Sequence, residues 1–499
     1  MSSPVSQLRR RRLGVVHIFF FTVAASAPLT VLGGGVTTTF AVTGVTGVPL
    51  SFLLLAVALA LFAVGYAAMS RFVANAGAFY AYIAHGLGAT WAVAGAFVAL
   101  VSYNFIQISL YGLLGAALGD LVNQATGVSL PWWAWALAAL IVVGYLGVLR
   151  VDFNANVLAV LLVLECIAVA LYDMGAFAHP AEGFAMQAAL SPSSLFVPGV
   201  GMVFAFGMAA FIGFESGAIY SEEVRNPRVT VARATFVAVG FTGLFYAVSA
   251  WAMIVTVGPT DLQKQTRENG PGVVFAGLAE HWGDGVATLA NMLFLTSVFA
   301  ALLSFHNGVA RYLFALGRER VLTAALSRVG TRSGGPVAGS LAQSALALVV
   351  VTVFAMFGAD PVLQLFTWLS GTAAVGIVLL MAGTSAAVVG FFRTHRRGGS
   401  AWQRSIAPTL ATLALVALVV LLIGNFDALL GTDPASPLRW ILPGLVLLAG
   451  VVGAIWAVRL RSTRPDAYAA IGTTGGTVDD EDDEPVVLDL PGPKHELRR

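Results

Sequence analysis

Long apolar stretches that carry almost no charge restrict the possible folds of this chain more than any other feature of its sequence. Twelve of them are long enough to cross a bilayer, which takes about 20 mainly apolar residues. Their apolar residues run continuously rather than alternating, so we expect an all-α integral membrane protein, because lipid-exposed backbone must satisfy its own hydrogen bonds. The predicted helices cover residues 14–40, 46–70, 88–118, 132–149, 153–175, 198–221, 231–257, 286–308, 337–357, 361–391, 406–424 and 437–459.

Composition excludes several other classes of protein. Only 10% of the residues are charged, against about 25% in soluble domains. The single cysteine, Cys166, excludes disulfides within the chain and metal clusters held by cysteines. The sequence has no HExxH zinc motif and no GxSxG nucleophile elbow, so we expect neither enzymatic activity nor a cofactor. It also lacks a basic patch beyond ordinary loops, which argues against nucleic acid as a partner.

The basic residues predict how the chain is oriented. Four arginines, Arg9 to Arg12, precede the first predicted helix, and cytoplasmic loops are usually rich in basic residues. Placing them inside the cell leaves only Lys264, Arg267 and Arg439 outside, so we expect both termini in the cytoplasm. Only two of the 27 basic residues are lysine. This bias is typical of GC-rich genomes and favours a bacterial inner membrane protein.

The predicted helices fall into groups. A basic cytoplasmic N-terminus, residues 1–13, precedes a first five-helix unit, residues 14–175. A second five-helix unit, residues 198–391, enters the membrane from the opposite side because five is an odd number. Two further helices lie in residues 406–459. Residues 460–499 form a cytoplasmic tail that contains an acidic run at 479–484 and is expected to be disordered.

Helix-breaking residues occur in the first helix of each unit. Pro28 lacks a backbone donor and is followed by glycines 33–35, and the sixth predicted helix contains Gly207, Gly213 and Gly217. Matching breaks in two inverted halves are a strong indication of a transporter binding site. The freed amides attract carboxylates and the freed carbonyls attract cations, so two facing breaks suit an α-amino acid. The alternative is that these residues only kink packed helices.

Three stretches together resemble the amino acid–polyamine–organocation permeases. They are GFESGAIYSEEVRNPRVTVARAT (213–235), NAGAFYAYIAHGLG (75–88) and NGVARYLFALGRERVLTAALSRV (307–329). The resemblance implies a LeuT-type fold, in which a 5+5 inverted repeat with broken helices 1 and 6 is followed by two extra helices. It also implies secondary transport of an amino acid or related small amine by alternating access, with the lipid bilayer as the protein's surroundings.

The resemblance also suggests which residues bind the substrate. The break in helix one would bind a substrate carboxylate, and the break in helix six would bind its ammonium group. These segments are Ala25, Ser26, Ala27, Pro28 and Leu29 in helix one, and Phe211, Ile212 and Gly213 in helix six. Many members have a Gly-Ser-Gly-type break, whereas this chain has Ala-Ser-Ala-Pro. Pro28 donates nothing, which leaves the amides of residues 25, 26, 27 and 29 as expected donors.

Ionisable residues within membrane helices are functional candidates by default. Glu215, beside the second break, is predicted to link substrate occupancy to gating; alternatively, it satisfies freed backbone donors locally. Glu165, within the fifth helix, is predicted to be the proton-coupling residue; alternatively, it bonds a neighbouring helix.

Polar residues provide further candidates, each with a structural alternative. Thr296 and Ser297 form a candidate sodium site, although hydroxyls in membrane helices often bond their own backbone. Two groups could line the cavity or stabilise helix contacts, and we expect only one of them to do the former. They are Tyr103, Asn104 and Gln107 in the third helix, and Trp368 with Ser370 in the tenth.

The function predicted from the sequence is import of an amino acid or a related small amine, driven by a proton gradient. Sodium-coupled symport and exchange are alternatives within the same fold. A transporter-like sensor is a further alternative, although the tail contains no folded domain that would signal.

Overall fold

The computed structural model describes residues 15, 19, 23, 26–70, 72–73, 79–149, 155–213, 227–330, 334–394, 400–431 and 435–472. Within these residues the chain is helical and has no β-strand. Ala25, Glu215 and the acidic run 479–484 lie outside the described residues.

Twenty α-helices are described, and we number them in chain order. They are α1 (Pro28–Thr30), α2 (Thr37–Thr43), α3 (Val48–Met69), α4 (Phe79–Leu87), α5 (Ala89–Thr126), α6 (Trp132–Val148), α7 (Ala155–Ala178), α8 (Met186–Leu190), α9 (Pro192–Leu195), α10 (Val200–Phe211), α11 (Pro227–Val257), α12 (Leu262–Asn269), α13 (Gly272–Trp282), α14 (Asp284–Arg318), α15 (Val337–Met356), α16 (Thr367–Thr394), α17 (Ala407–Gly424), α18 (Phe426–Leu430), α19 (Leu438–Thr463) and α20 (Pro465–Ala469). π-Helical turns occupy Val31–Val36, Pro361–Phe366 and Trp402–Ile406, and a 3₁₀ turn occupies Ala324–Ser327.

The described part of the chain contains nine helical segments that are long and apolar enough to cross a membrane. They coincide with nine of the predicted helices, so the prediction of a multi-pass membrane protein is confirmed. The predicted fourth and sixth helices correspond to the shorter apolar helices α6 and α10. The predicted first helix is described only in part. The total of twelve spans, the inverted repeat and the orientation stay predictions.

Both predicted breaks contain residues outside helical geometry. Ala27 adopts a left-handed conformation with φ 53°, and α1 starts immediately after it with Pro28, whose missing amide is tolerated at a first helical position. α10 ends at Phe211, after which Ile212 is extended and Gly213 has φ 107°. The glycines 33–35 do not interrupt helix one; they lie inside the π-helical turn that joins α1 to α2.

The long helix α5 contacts many of the others, and α7 lies beside the first break. α5 packs against α4, α6, α14, α16 and α19, whereas α7 packs against α11, α13, α14 and the short α1. This arrangement places one side of α7 against the start of α1.

The short helix α4 is in backbone contact with α16. A Cβ atom at Gly86 would lie 2.0 Å from the carbonyl oxygen of Ala387. In turn, a Cβ atom at Gly390 would lie 2.4 Å from the carbonyl oxygen of Gly86. Since even the smallest side chain would collide with backbone atoms, the two helices can meet this closely only through glycine.

Candidate functional site

A cavity lies between the helix-one break and α10. It encloses about 620 Å³ of space between atoms, part of which is open solvent. Ser26, Thr30, Thr39 and Ser370 are its polar lining residues, and no charged side chain lines it among the described residues. The apolar lining includes the rings of Phe52, Phe206, Phe305 and Phe366. The cavity therefore suits a small ligand with an apolar portion.

Ser26 connects the two breaks. Its hydroxyl donates a hydrogen bond to the carbonyl oxygen of Ala210, in the last turn of α10, at 2.7 Å. The Ser26 hydroxyl oxygen also lies 2.5 Å from the hydroxyl oxygen of Tyr246 on α11. Because the Ser26 proton is directed at Ala210, the Tyr246 hydroxyl is the donor of the second bond. One serine thus joins three helical segments beside the cavity.

Glu165 lies on the other side of the helix-one break. Its Oε2 accepts a hydrogen bond from the Leu29 amide at 3.3 Å and another from the Ser297 hydroxyl at 2.8 Å. The hydroxyl of Thr30 in turn donates to Ser297 Oγ at 3.0 Å. Glu165 is only 5% exposed, so most of its contacts are with protein. The carboxylate connects α7 to the start of α1 and to α14.

The amides expected to receive a substrate carboxylate are partly engaged within the protein. The Ala27 amide donates to the Val23 carbonyl at 3.2 Å, and the Leu29 amide donates to Glu165. In this structure an internal carboxylate thus occupies a position where the resemblance implies a substrate carboxylate. Of the residues expected to bind substrate, Ser26 and Ala27 line the cavity. At the second break, Ala209 and Ala210 line it instead of Phe211 and Ile212.

Thr296 and Ser297 do not point to a common site. Ser297 is buried and bonds Glu165, whereas the exposed Thr296 donates to the carbonyl of Leu293 at 2.9 Å. Neighbouring residues on an α-helix point about 100° apart, which follows from 3.6 residues per turn. Of the two hydroxyls, only that of Ser297 lies near the helix-one break.

Of the polar residues proposed in the third and tenth predicted helices, Tyr103, Gln107 and Trp368 contact other helices, whereas Asn104 bonds its own helix. Asn104 donates to the Leu100 carbonyl, and Trp368 donates to the Leu430 carbonyl at 3.1 Å. Gln107 accepts a hydrogen bond from Gln343 of α15 at 2.5 Å. Tyr103 forms an edge-to-face pair with a tyrosine of α14. The cavity is lined from these two helices by Ile106, Leu110, Phe366 and Ser370.

Sequence reasoning noted Ala210 only as a small residue beside the break, and it did not single out the Ala210 carbonyl, Thr30 or Tyr246. Tyr246 is 1% exposed and its hydroxyl reaches Ser26. A hydroxyl-bearing ring inside a long apolar stretch was the available signal for it. The carbonyl of Ala210 gave no such signal, because any residue there would supply it.

The structure offers no metal centre in its described part. No group of three or more His, Cys, Asp or Glu residues there is arranged to hold a metal ion. The polar groups at the cavity are hydroxyls and backbone groups, and the Glu165 carboxylate lies on the other side of the helix-one break.

Comparison with known proteins shows similarity to transporters and to one family of permeases. The chain is 30% identical over 215 residues to uncharacterized transporters of Mycobacterium bovis and Mycobacterium tuberculosis. That match covers 42% of this chain and 46% of each relative, so it spans less than half the length of those proteins. The amino acid permease family matches residues 17–464, which include the described helices α1 to α19. The chain belongs to the amino acid permease family, one of the amino acid–polyamine–organocation permeases.

Proposed function

We propose that the protein is a secondary transporter that carries an amino acid or related small amine by alternating access and couples this movement to protons. Family membership and the names of the relatives support transport. The position of Glu165 supports a proton as the coupling ion.

The link from Glu165 to the helix-one break is the observation that carries the proposal. As a carboxylate, Glu165 accepts hydrogen bonds from Leu29 on α1 and Ser297 on α14. Hydrogen bonds to an ionised acceptor are roughly twice as strong as those between neutral groups. Protonation of Glu165 therefore weakens both bonds and loosens α1 from α7 and α14. A proton could in this way control the position of the segment that borders the cavity.

The cavity lining supports a substrate with an apolar body and an amino group. Carbonyl groups at the end of α10 carry partial negative charge and attract cations. The faces of aromatic rings attract ammonium groups as well, and four phenylalanines line the space. Small residues at Ala209 and Ala210 leave room beside the break.

Sodium coupling and exchange are the competing mechanisms. Of the Thr296 and Ser297 hydroxyls, only that of Ser297 lies near helix one, and it donates a hydrogen bond to Glu165. A sodium ion would lack the second hydroxyl that the sequence suggested. The geometry therefore favours a proton at this position.

Uptake by the purified protein in liposomes tests the proposal. A pool of radiolabelled amino acids and amines is offered with an acidic exterior, with and without Na⁺. Proton coupling predicts uptake that follows the pH gradient without Na⁺. A strict need for Na⁺ would contradict proton coupling, and counterflow without gradient dependence would indicate an exchanger. Absence of uptake for every compound, by protein shown to be folded, would contradict transport of amino acids and amines.

A further inference from the structure

A second buried carboxylate, Asp173, lies on α7 beyond Glu165. The Asp173 side chain is 7% exposed, and its Oδ2 accepts a hydrogen bond from Ser249 of α11 at 2.9 Å. Its Oδ1 is buried and receives no hydrogen bond from any residue in the described ranges. One donor compensates poorly for a buried carboxylate, and ionisable residues at membrane depth mark ion or proton pathways.

Asp173 and Glu165 both lie on sides of α7 that face other helices. They are eight residues apart, which is a rise of about 12 Å and a net rotation of about 80° in an α-helix. α11 runs alongside in a constant register. Leu162 shares a buried cluster with Ala238, and Asp173 bonds Ser249 at the same offset in sequence. Tyr246 of α11 therefore lies at a level between the two carboxylates.

Tyr246 and its neighbours supply hydroxyl groups across the interval. The Tyr246 hydroxyl lies 2.5 Å from Ser26 Oγ at the helix-one break. Ser249, one turn further along α11, donates to Asp173. A tyrosine hydroxyl can both donate and accept, so it can pass a proton on. Along α7 and α11 the order of these groups is Asp173, Ser249, Tyr246 with Ser26, and Glu165. Hydrogen bonds join Ser249 to Asp173 and Tyr246 to Ser26.

Two histidines lie near the exposed end of α7, beyond Asp173. The rings of His179 and His281 stack at a centroid distance of 4.9 Å, and His179 is exposed. His281 packs onto Gly175, where a Cβ atom would lie 2.6 Å from the histidine Cδ2. Trp282 Nε1 donates to the Leu171 carbonyl at 2.9 Å and so holds α13 on α7. Histidine is the side chain that exchanges protons most readily near neutral pH.

Other titratable groups near Asp173 are few within the described residues. On α7 itself they are Cys166 and Tyr172; on the helices packed against it they are Tyr246 of α11, Glu280 and His281 of α13, and Asp284 of α14. Glu280 and Asp284 are exposed, and α1 contributes no titratable side chain. The arginines described on α11 and α14 lie toward the opposite ends of those helices.

We propose that Asp173 is a second proton-carrying residue, which receives protons from the His179–His281 end of α7 and passes them by way of Tyr246 to Glu165. The proton leaves the carboxylic acid of Asp173, the Glu165 carboxylate gains one, and His281 restores the proton of Asp173. This inference rests on the proposed proton coupling, and it assigns the route by which Glu165 is loaded.

Asp173→Asn in liposomes tests the route, with Glu182→Gln as the matched control. Glu182 is an exposed carboxylate beyond the same end of α7 and accepts a hydrogen bond from Thr260. The probe is whichever radiolabelled amino acid or amine the wild type accumulates from the pool. We expect Asp173→Asn to slow pH-driven uptake about 100-fold, as for a lost proton-transfer group. Counterflow at equal pH needs no net proton movement and persists. Glu182→Gln changes neither rate.

The outcomes separate this inference from the proposed function. If Asp173→Asn keeps normal pH-driven uptake while Glu165→Gln loses it, the route is overturned and proton coupling stands. A wild type without pH-driven uptake overturns both.

Two further measurements apply if Asp173→Asn does not fold. Ser249→Ala removes only the hydroxyl beside Asp173, and we expect it to slow pH-driven uptake about tenfold while counterflow persists; unchanged pH-driven uptake would overturn the route. Infrared spectra of the folded wild type and Ser249→Ala should differ in the carbonyl stretch of a protonated carboxylic acid, because that hydroxyl bonds Asp173. A wild type without any such band over the working pH range would overturn the inference.

Discussion

The helices α7 and α16 use polar side chains in opposite ways. In α7, 44% of an apolar stretch of 18 residues is buried, against 72% of the corresponding stretch in the segment that contains α16. Yet the less buried helix carries two buried carboxylates, whereas α16 contains no Asp or Glu. On α7 the lipid-exposed side includes Val160, Val163 and Ile167, so the acids occupy the narrow side that faces other helices.

The hydrogen bonds of the two helices differ in the same way. On α16, Ser370, Thr372 and Thr384 donate to carbonyls of their own helical segment at 2.5–2.8 Å. Trp368 and Ser385 instead donate to backbone carbonyls of neighbouring helices. On α7, Glu165 and Asp173 accept from residues of three other helices. A hydroxyl that bonds its own backbone is locally satisfied, whereas a carboxylate that bonds across helices depends on their positions. The comparison indicates that the polar contacts of α7 depend on neighbouring helices more than most of those of α16 do.

The largest expected effect is at Glu165. Glu165→Gln keeps an oxygen that can accept from Leu29 and Ser297, but it cannot release a proton. We expect pH-driven uptake to fall about 100-fold while counterflow persists, measured in liposomes with Glu182→Gln as control. Full retention of pH-driven uptake would show that Glu165 does not carry the coupling proton.

A smaller effect is expected at Ser297, with Thr296 as its matched neighbour. Ser297→Ala removes one donor from the buried Glu165 carboxylate, and such a loss costs about 1–3 kcal/mol. Thr296→Ala removes an exposed hydroxyl bonded to its own helix, and surface changes of this kind usually stay within about 0.5 kcal/mol. Thermal unfolding in detergent should therefore separate the two variants. Equal stabilities would mean that the bond to Glu165 contributes little.

The smallest effect is expected on α16. Thr384→Val keeps the shape of a fully buried side chain and removes a hydroxyl that bonds the Leu380 carbonyl. Hydrogen bonds of membrane helices average about 0.6 kcal/mol, so stability should fall by about that amount and uptake should stay at the wild-type rate. Should this variant lose as much stability as Ser297→Ala, the contrast between the two helices would not hold.

Local chemistry explains which parts were predictable from the sequence. Pro28 and Gly213 marked the breaks because proline and glycine act on the backbone at their own positions. Glu165 stood out because a carboxylate in an apolar stretch is rare. Its partners Leu29 and Ser297 were not predictable, since they lie on helices whose packing the sequence pattern does not specify.

Other features were missed or read differently for identifiable reasons. Asp173 lies near the predicted end of its helix, where a charge is ordinary, and so it did not stand out. Its burial comes from the packing of α11 and α13 against α7, which the sequence pattern does not specify. Thr296 and Ser297 were paired because they are adjacent in sequence, although helical geometry separates neighbouring side chains. Glycines 33–35 predicted an interruption, yet the chain accommodates them as a π-helical turn.

The glycine contact between α4 and α16 has a consequence for how this sequence can evolve. Since Gly86 and Gly390 each exclude a Cβ atom because of backbone on the facing helix, no single substitution at either position preserves their spacing. Drift at one position has to be accompanied by separation of the helices. Substitutions at Gly86 and Gly390 are therefore constrained together, and α4 and α16 keep or lose their close packing as a pair during evolution.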